Sequence, residues 1–221
     1  MRGDIKMDVQ GLHLAPLFPT VKTMQDALGT LYGRADLVGH GYSVADLLGS
    51  SDGKMSLAVD GGRISALLVE LIGLDAAESV MLLGRRHDQV QLRCAVSGFE
   101  VTDGVAKADS FVVDTDDTVI KVEGGIDMGD EALDLEAHPY PKDPSPLALR
   151  TPLTMKGPLR HPKVRPKAGP LAARVGAALA LGAINPALSL LALIETGPGK
   201  DAPCGELLAQ AKQKGAVKKQ S

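Results

Sequence analysis

The sequence predicts a β-rich α+β chain: an antiparallel meander of long strands, with short helices inserted early and helices packed at its end. Three observations carry this. Apolar and polar residues alternate in run after run, as in Ile5-Lys6-Met7-Asp8-Val9 and Val90–Val96, which is the period of a half-buried strand. Turn dipeptides such as Asp103-Gly104 and Gly129-Asp130 separate those runs, and Asp-Gly is a strong hairpin signal. The longest apolar segment, Gly169–Glu195, comes late and is broken at Asn185-Pro186.

Taken in order, Ile5, Met7 and Val9 mark a first strand, Leu14–Phe18 a short apolar turn, and Arg34–Val38 a weak strand. Ser43 followed by Asp46 has the shape of a capping box, so a short helix is expected from there to Leu48, stopping at Gly49. Met55, Leu57 and Val59 alternate again and lead into Asp60-Gly61-Gly62. Further helices are expected over 65–83, with Leu67, Leu68, Leu71 and Ile72 on one face and Asp75 recapping. From Gln89 the pattern is strands. Val90, Leu92, Cys94 and Val96 share one face, and Gln91, Arg93 and Ala95 the other. Strands follow at Val105–Asp114, Thr118–Met128 and Leu133–His138. A PYPKDPSP loop comes next, then a strand over Leu147–Lys156 interrupted by Pro152, then the basic linker GPLRHPKVRPKAGP. Proline inside a strand points to an edge or a bulge.

In the apolar segment, asparagine suits a helix cap and proline the first turn, so Asn185-Pro186 reads as a restart. Helices over Leu171–Ile184 and Pro186–Thr196 would be about 21 Å and about 16 Å long. Both fall short of the roughly 30 Å of hydrocarbon in a bilayer, so a helical pair packed on the fold or on a membrane surface is expected. The domains expected are a β-rich unit over 1–168, a helical cap over 169–211 and a flexible basic tail over 212–221.

Composition excludes several classes. Hydrophobic residues make up 44% of the 221, enough for a core, but aromatics are 3% with no Trp. That argues against nucleic-acid stacking platforms and membrane-span aromatic belts. Net charge is -3, too small for steering by the whole molecule, yet the charges are segregated. Glu100–Asp143 holds thirteen acids against three lysines, and Pro144–Ile194 holds no acid and seven Lys/Arg. Cations beside apolar helices suit an anionic lipid surface. The start, MRGDIKMDVQG, has no apolar signal-peptide core.

No catalytic constellation is found. His13, His40, His87, His138 and His161 share no ligand spacing. The Asp114–Asp117 run resembles an EF-hand start, but Val119 stands where glycine is needed and Gly125 where glutamate is. Gly49–Lys54 fails as a phosphate loop because Met55 replaces the Ser/Thr. Arg2-Gly3-Asp4 is a chance tripeptide at a strand start, and no GxSxG occurs. No metal site or cofactor is expected. Cys94 and Cys204 have no metal-quartet spacing and are read either as two buried thiols or as one disulfide.

Read together, four segments resemble the C-terminal region of the AsmA (AsmA/TamB-like) family of bacterial envelope proteins. They are SVADLLGSSDGKMSLAVDGGRISALLVELIGLD, LRCAVSGFEVTDGVA, DTDDTVIKVEGGIDMGDEALDLEAHPYPKDPSPLALRTPLTMKG and GPLAARVGAALALGAINPALSLLALIETGPGKDAPCGELL. The pairing of the GxIDM-x2-E-x-LDL pattern with PKDPSPLALRTPL carries most of the specificity. The resemblance implies a curved, groove-like sheet and a periplasmic setting, in a protein anchored in the inner membrane by an N-terminal span that this chain lacks. It implies a role in outer-membrane biogenesis, with phospholipid carried along an apolar β-groove. The alternative is a structural module acting in outer-membrane protein assembly or protein targeting to the membrane. In that setting a Cys94–Cys204 disulfide is expected. Acyl chains would face Ile120, Val122, Ile126, Leu133 and Leu135. Anionic headgroups would meet Arg160, Lys163, Arg165, Lys167 and Arg174. The implied partners are phospholipid, a membrane surface and the missing N-terminal region, with no nucleic acid and no enzymatic activity.

Overall fold

In a computed structural model, residues 2–14, 28–64, 90–142, 152–167 and 199–213 are described, together with Gly169 and Gly176. They form one nine-stranded antiparallel sheet whose spatial order follows the chain. Its strands are β1 (Arg2–His13), β2 (Leu28–His40), β3 (Asp52–Ile64), β4 (Val90–Thr102), β5 (Val105–Thr115), β6 (Thr118–Asp127), β7 (Ala132–Pro141), β8 (Leu153–Pro158) and β9 (Lys163–Pro166). Two helices accompany it, α1 (Val44–Gly49) and α2 (Cys204–Gln213).

The meander expected from the alternation is present, with longer strands. The β4–β5 turn has Asp103 and Gly104 at φ 47° and 76°, the left-handed pair that a two-residue hairpin requires. At the β6–β7 turn, Asp127 Oδ1 accepts from the backbone N–H of Gly129 and of Asp130, each at 2.9 Å. This side-chain mimic of a turn accounts for the Asp in the IDM pattern. The Ser43 capping box is complete: the Ser43 hydroxyl accepts from Asp46 N–H at 3.0 Å, and the Asp46 carboxylate accepts from Ser43 N–H at 3.2 Å. Those contacts, led by the N–H of Tyr42, hold the Asp46 carboxyl below its usual range.

Three expectations are corrected. The PYP stretch is not loop: Pro139, Tyr140 and Pro141 continue β7 and pair with Ile120, Val119 and Thr118. The basic linker is not all linker: it holds the β8–β9 turn and β9, which pairs back on the preceding strand with Val164 opposite Met155 and Lys163 opposite Lys156. Arg93 does not keep simple alternation, because the β4–β5 register shifts between Leu92 and Cys94; such an irregularity re-aims a side chain. The Leu14–Phe18 turn beyond Leu14, the helices over 65–83, residues 147–151 and the helical pair over 171–196 lie outside the described residues.

Register shifts in β1–β2, β4–β5 and β5–β6 curve the sheet, since bulges bend strands and increase their twist. The two faces differ in chemistry. On one, cross-strand partners run Lys6–Asp36–Lys54–Glu100–Lys107, alternating in sign over five strands. Opposite charges directly across a ladder are favourable, so this face is stable in water. Farther along the sequence of the sheet, Gly124 and Gly125 bear no side chains, and a depression of about 610 Å³ lies there among Lys107, Glu123, Asp134 and Glu136.

Candidate functional site: an apolar sheet face and a stapled corner

The other face is apolar across the sheet. Register places Ile5, Leu37, Gly53, Val101, Ala106, Ile126, Leu133 and Gly157 in one row. A second runs Met7–Ala35–Met55–Phe99–Ala108 and a third Leu12–Leu31–Val59–Ala95–Val113–Ile120–Pro139. Between them, Val9–Gly33–Leu57–Ser97–Phe111 continues the same face. Phe99 and Phe111 meet edge to face, 6.0 Å between centroids.

Burial is graded along the strands. At one rim Leu37, Val101 and Ala106 are buried, and Leu48 of α1 packs on their cluster with Met128. Here α1 crosses from the β2–β3 connection toward two other turns. Gly104 N–H donates to Ser51 C=O at 2.9 Å, and Met128 N–H to Gly104 C=O at 3.0 Å. The helix sits this close because Gly39 lies beneath it: a Cβ there would stand 2.1 Å from the Leu47 carbonyl oxygen. Toward the middle of the sheet the face opens. Leu57 lies on β3, an interior strand, yet is 49% exposed.

Of the five residues expected to face acyl chains, all lie on this apolar face. Val122 and Leu135 are buried with Ala137 in a cluster that Ile120, Leu133, Leu153 and Met155 adjoin, while Ile126 belongs to the α1-side cluster. The expected cations divide. Arg160, Lys163 and Arg165 are exposed at the β8–β9 hairpin. Lys167 is engaged by Glu136, 2.8 Å and 2.9 Å from its two oxygens, and this hydrogen bonding holds the Glu136 carboxyl below its usual range. Arg174 lies outside the described residues.

On the opposite face α2 is stapled to β4. Cys94 and Cys204 form the disulfide across a sequence separation of 110, and Leu208 packs with Ala58, Val96 and Tyr32. Beneath the staple lies a charged cluster that alternation alone had hidden. Asp114, opposite Cys94 in register, is fully buried. One of its oxygens, Oδ2, accepts from Ala202 N–H at 3.0 Å and from Arg93 Nη1 at 3.2 Å; the other, Oδ1, lies 2.7 Å from Lys142 Nζ. Asp201 Oδ1 is 2.6 Å from each of the same two cations. A lone buried carboxylate would be costly, and two cations with a second acid make this one neutral overall. Hydrogen bonding from Lys142 holds the Asp201 carboxyl low, with the Lys142 and Arg93 charges adding to it. For Lys142 burial opposes the charge, but its bonds to Asp114 and Asp201 outweigh that and raise its pKa. The only sequence signal for this cluster was an acid interrupting the apolar run Phe111-Val112-Val113.

The described histidines join no group of metal-ligating side chains. Among the described residues, no helix is long and apolar enough to cross a membrane.

Comparison with known proteins completes the description. No solved structure matches this chain. The AsmA family protein YhjG of Escherichia coli (strain K12) is 36% identical over 214 residues, covering 96% of this chain and 31% of that protein. The chain therefore spans about a third of that relative's length. The AsmA family model itself matches residues 1–111, which hold the strands carrying α1 and most of the apolar rows, and on these two matches the chain belongs to the AsmA family.

Proposed function

We propose that this chain is a non-enzymatic module of a bacterial envelope protein acting in outer-membrane biogenesis, and that its apolar sheet face carries phospholipid acyl chains between membranes. The observation that carries the reading is Leu57, half-exposed on an interior strand of an otherwise apolar face. A leucine there loses the burial that normally accompanies such a position, worth about 1.5–3 kcal/mol when complete. An acyl chain laid along the face would supply it, at roughly 0.8 kcal/mol per buried CH₂, with no bond made or broken. Arg160, Lys163 and Arg165, exposed on the β8–β9 hairpin, would meet anionic headgroups at the membrane surface. Family membership supports the envelope setting, with the periplasmic location and inner-membrane anchoring part of the same proposal.

The test is Leu57→Asp, set against Leu135→Asp, in protein extracted from membranes and weighed by native mass spectrometry. The first variant should stay folded and lose co-purifying phospholipid. The second puts a charge at a buried position and should unfold. Wild-type protein that carries no lipid across several detergents would sink the proposal.

A second reading rests on the α1 rim, where Leu37, Val101 and Ala106 form a closed core. If that closure extends in solution to Leu57, the module acts through protein partners in outer-membrane protein assembly, and Leu57→Asp unfolds it.

A further inference from the structure

We infer that the stapled corner becomes a site for one soft divalent cation, Zn²⁺ or Cd²⁺, when its disulfide is opened, with Cys94, Cys204 and Asp114 as ligands. Their donor atoms all lie within 4.8 Å of one another. Asp114 Oδ2 stands 3.6 Å from Cys204 Sγ. Zinc–sulfur and zinc–oxygen bonds of about 2.3 Å and about 2.0–2.2 Å at a tetrahedral angle set sulfur and oxygen about 3.5 Å apart, so the carboxylate and Cys204 already stand at the separation such an ion needs. The two sulfurs, bonded to each other here, part to receive it, and the ion takes the place of Arg93 on Oδ2. Thiolate ligands favour Zn²⁺ and its softer congeners over Ca²⁺ or Mg²⁺. The three ligands come from two adjacent strands and the first residue of α2, and Asp114 faces Cys94 directly. Asp201, 60% exposed, stays with Arg93 and Lys142, and water completes the fourth position.

The exchange conserves charge. In the oxidised corner, Asp114 and Asp201 offset Arg93 and Lys142. A reductant such as a phosphine, with water, gives the disulfide two electrons and two protons, yielding two neutral thiols and a phosphine oxide. The ion then displaces the two thiol protons and forms two metal–sulfur bonds, so two positive charges leave as two arrive. A two-electron oxidant reverses this, remaking the S–S bond and releasing the ion. The metal therefore takes over the disulfide's role of seating α2.

The experiment uses the whole chain, reduced with a water-soluble phosphine under argon, freed of reductant and titrated with CdCl₂. Expected are one Cd²⁺ per chain with a thiolate charge-transfer band, two protons released per ion, and thiols shielded from alkylation. Asp114→Asn, checked for fold by circular dichroism, should weaken the binding tenfold or more, and Cys94→Ser with Cys204→Ser should abolish the band. Ejection of the ion on reoxidation, read with a chromophoric chelator, would support the exchange using wild-type protein alone. The inference is overturned if no band forms, if Asp114→Asn binds as wild type, or if reduction unfolds the chain and one equivalent of Cd²⁺ does not restore it.

Discussion

Removing the staple, by Cys94→Ala together with Cys204→Ala, tests how the C-terminal segment is held. The bridge spans a sequence separation of 110. The chain-entropy relation for a loop of that size gives about 4.8 kcal/mol at 25 °C, chiefly from restricting the unfolded chain. Real denatured chains are more compact than the ideal coil, which brings the expected loss to about 3–4 kcal/mol. For a protein of this size each kcal/mol moves the melting temperature by roughly 2–4 °C, so the variant should melt roughly 6–16 °C lower. The assay is thermal unfolding by circular dichroism under non-reducing conditions, with amide exchange read separately over α2 and residues 199–203. The charged cluster cannot substitute fully, because Arg93 and Asp201 are both partly in water and solvated ion pairs contribute little. A variant melting within about 2 °C of the parent, with α2 still protected, would refute the reasoning.

Asp114→Ala should cost about 2–4 kcal/mol in urea unfolding, because it leaves Lys142 and Arg93 with only the exposed one of their two shared acids, Asp201; a loss under 1 kcal/mol would count against that account. Gly39→Val should displace α1 and cost more than the 1–3 kcal/mol of ordinary overpacking, since backbone, not a mobile side chain, occupies the space. Gly11→Ala, with nothing within 4 Å, should cost only its φ strain, and equal losses from the two would remove α1's seat from the explanation. In acid, Asp46, Glu136 and Asp201 titrate lower in the folded chain than in the unfolded one. Their stabilisation is therefore present above the ordinary carboxylate range and drains away as pH falls through and below about 4. Lys142, raised above its usual value, contributes below about pH 10.5 and is lost only as pH climbs past it. Urea midpoints that hold flat from pH 5 to 9 and decline on the acid side would agree; a midpoint rising below pH 4 would not.

Much of the fold was legible because strands of a one-sided sheet advertise themselves. Val9, Val122 and Leu135 alternate with polar residues, and that period assigns each to one face of its strand. Asp103-Gly104 and the Ser43 capping box were equally plain, since their hydrogen bonds close within four residues. Short pieces were harder. Lys163–Pro166 has only four residues, with Pro162 before it and Pro166 as its last, too few to show a period.

What the residues alone determined is therefore local: where strands run, where they turn, and which side chains are apolar. Whether an apolar side chain is core or open surface depends on what the curved sheet lays beside it. Leu37 lies under α1 and is buried, whereas Leu57, two rows away on the same face, is half-exposed. Asp114 makes the same point for charge. Its neighbours in sequence suggest a turn acid, but its partners come from three distant segments, at Arg93, Lys142 and Asp201–Cys204. Only the folded chain brings those together, because a buried carboxylate is tolerable solely where the tertiary structure supplies its counter-charges.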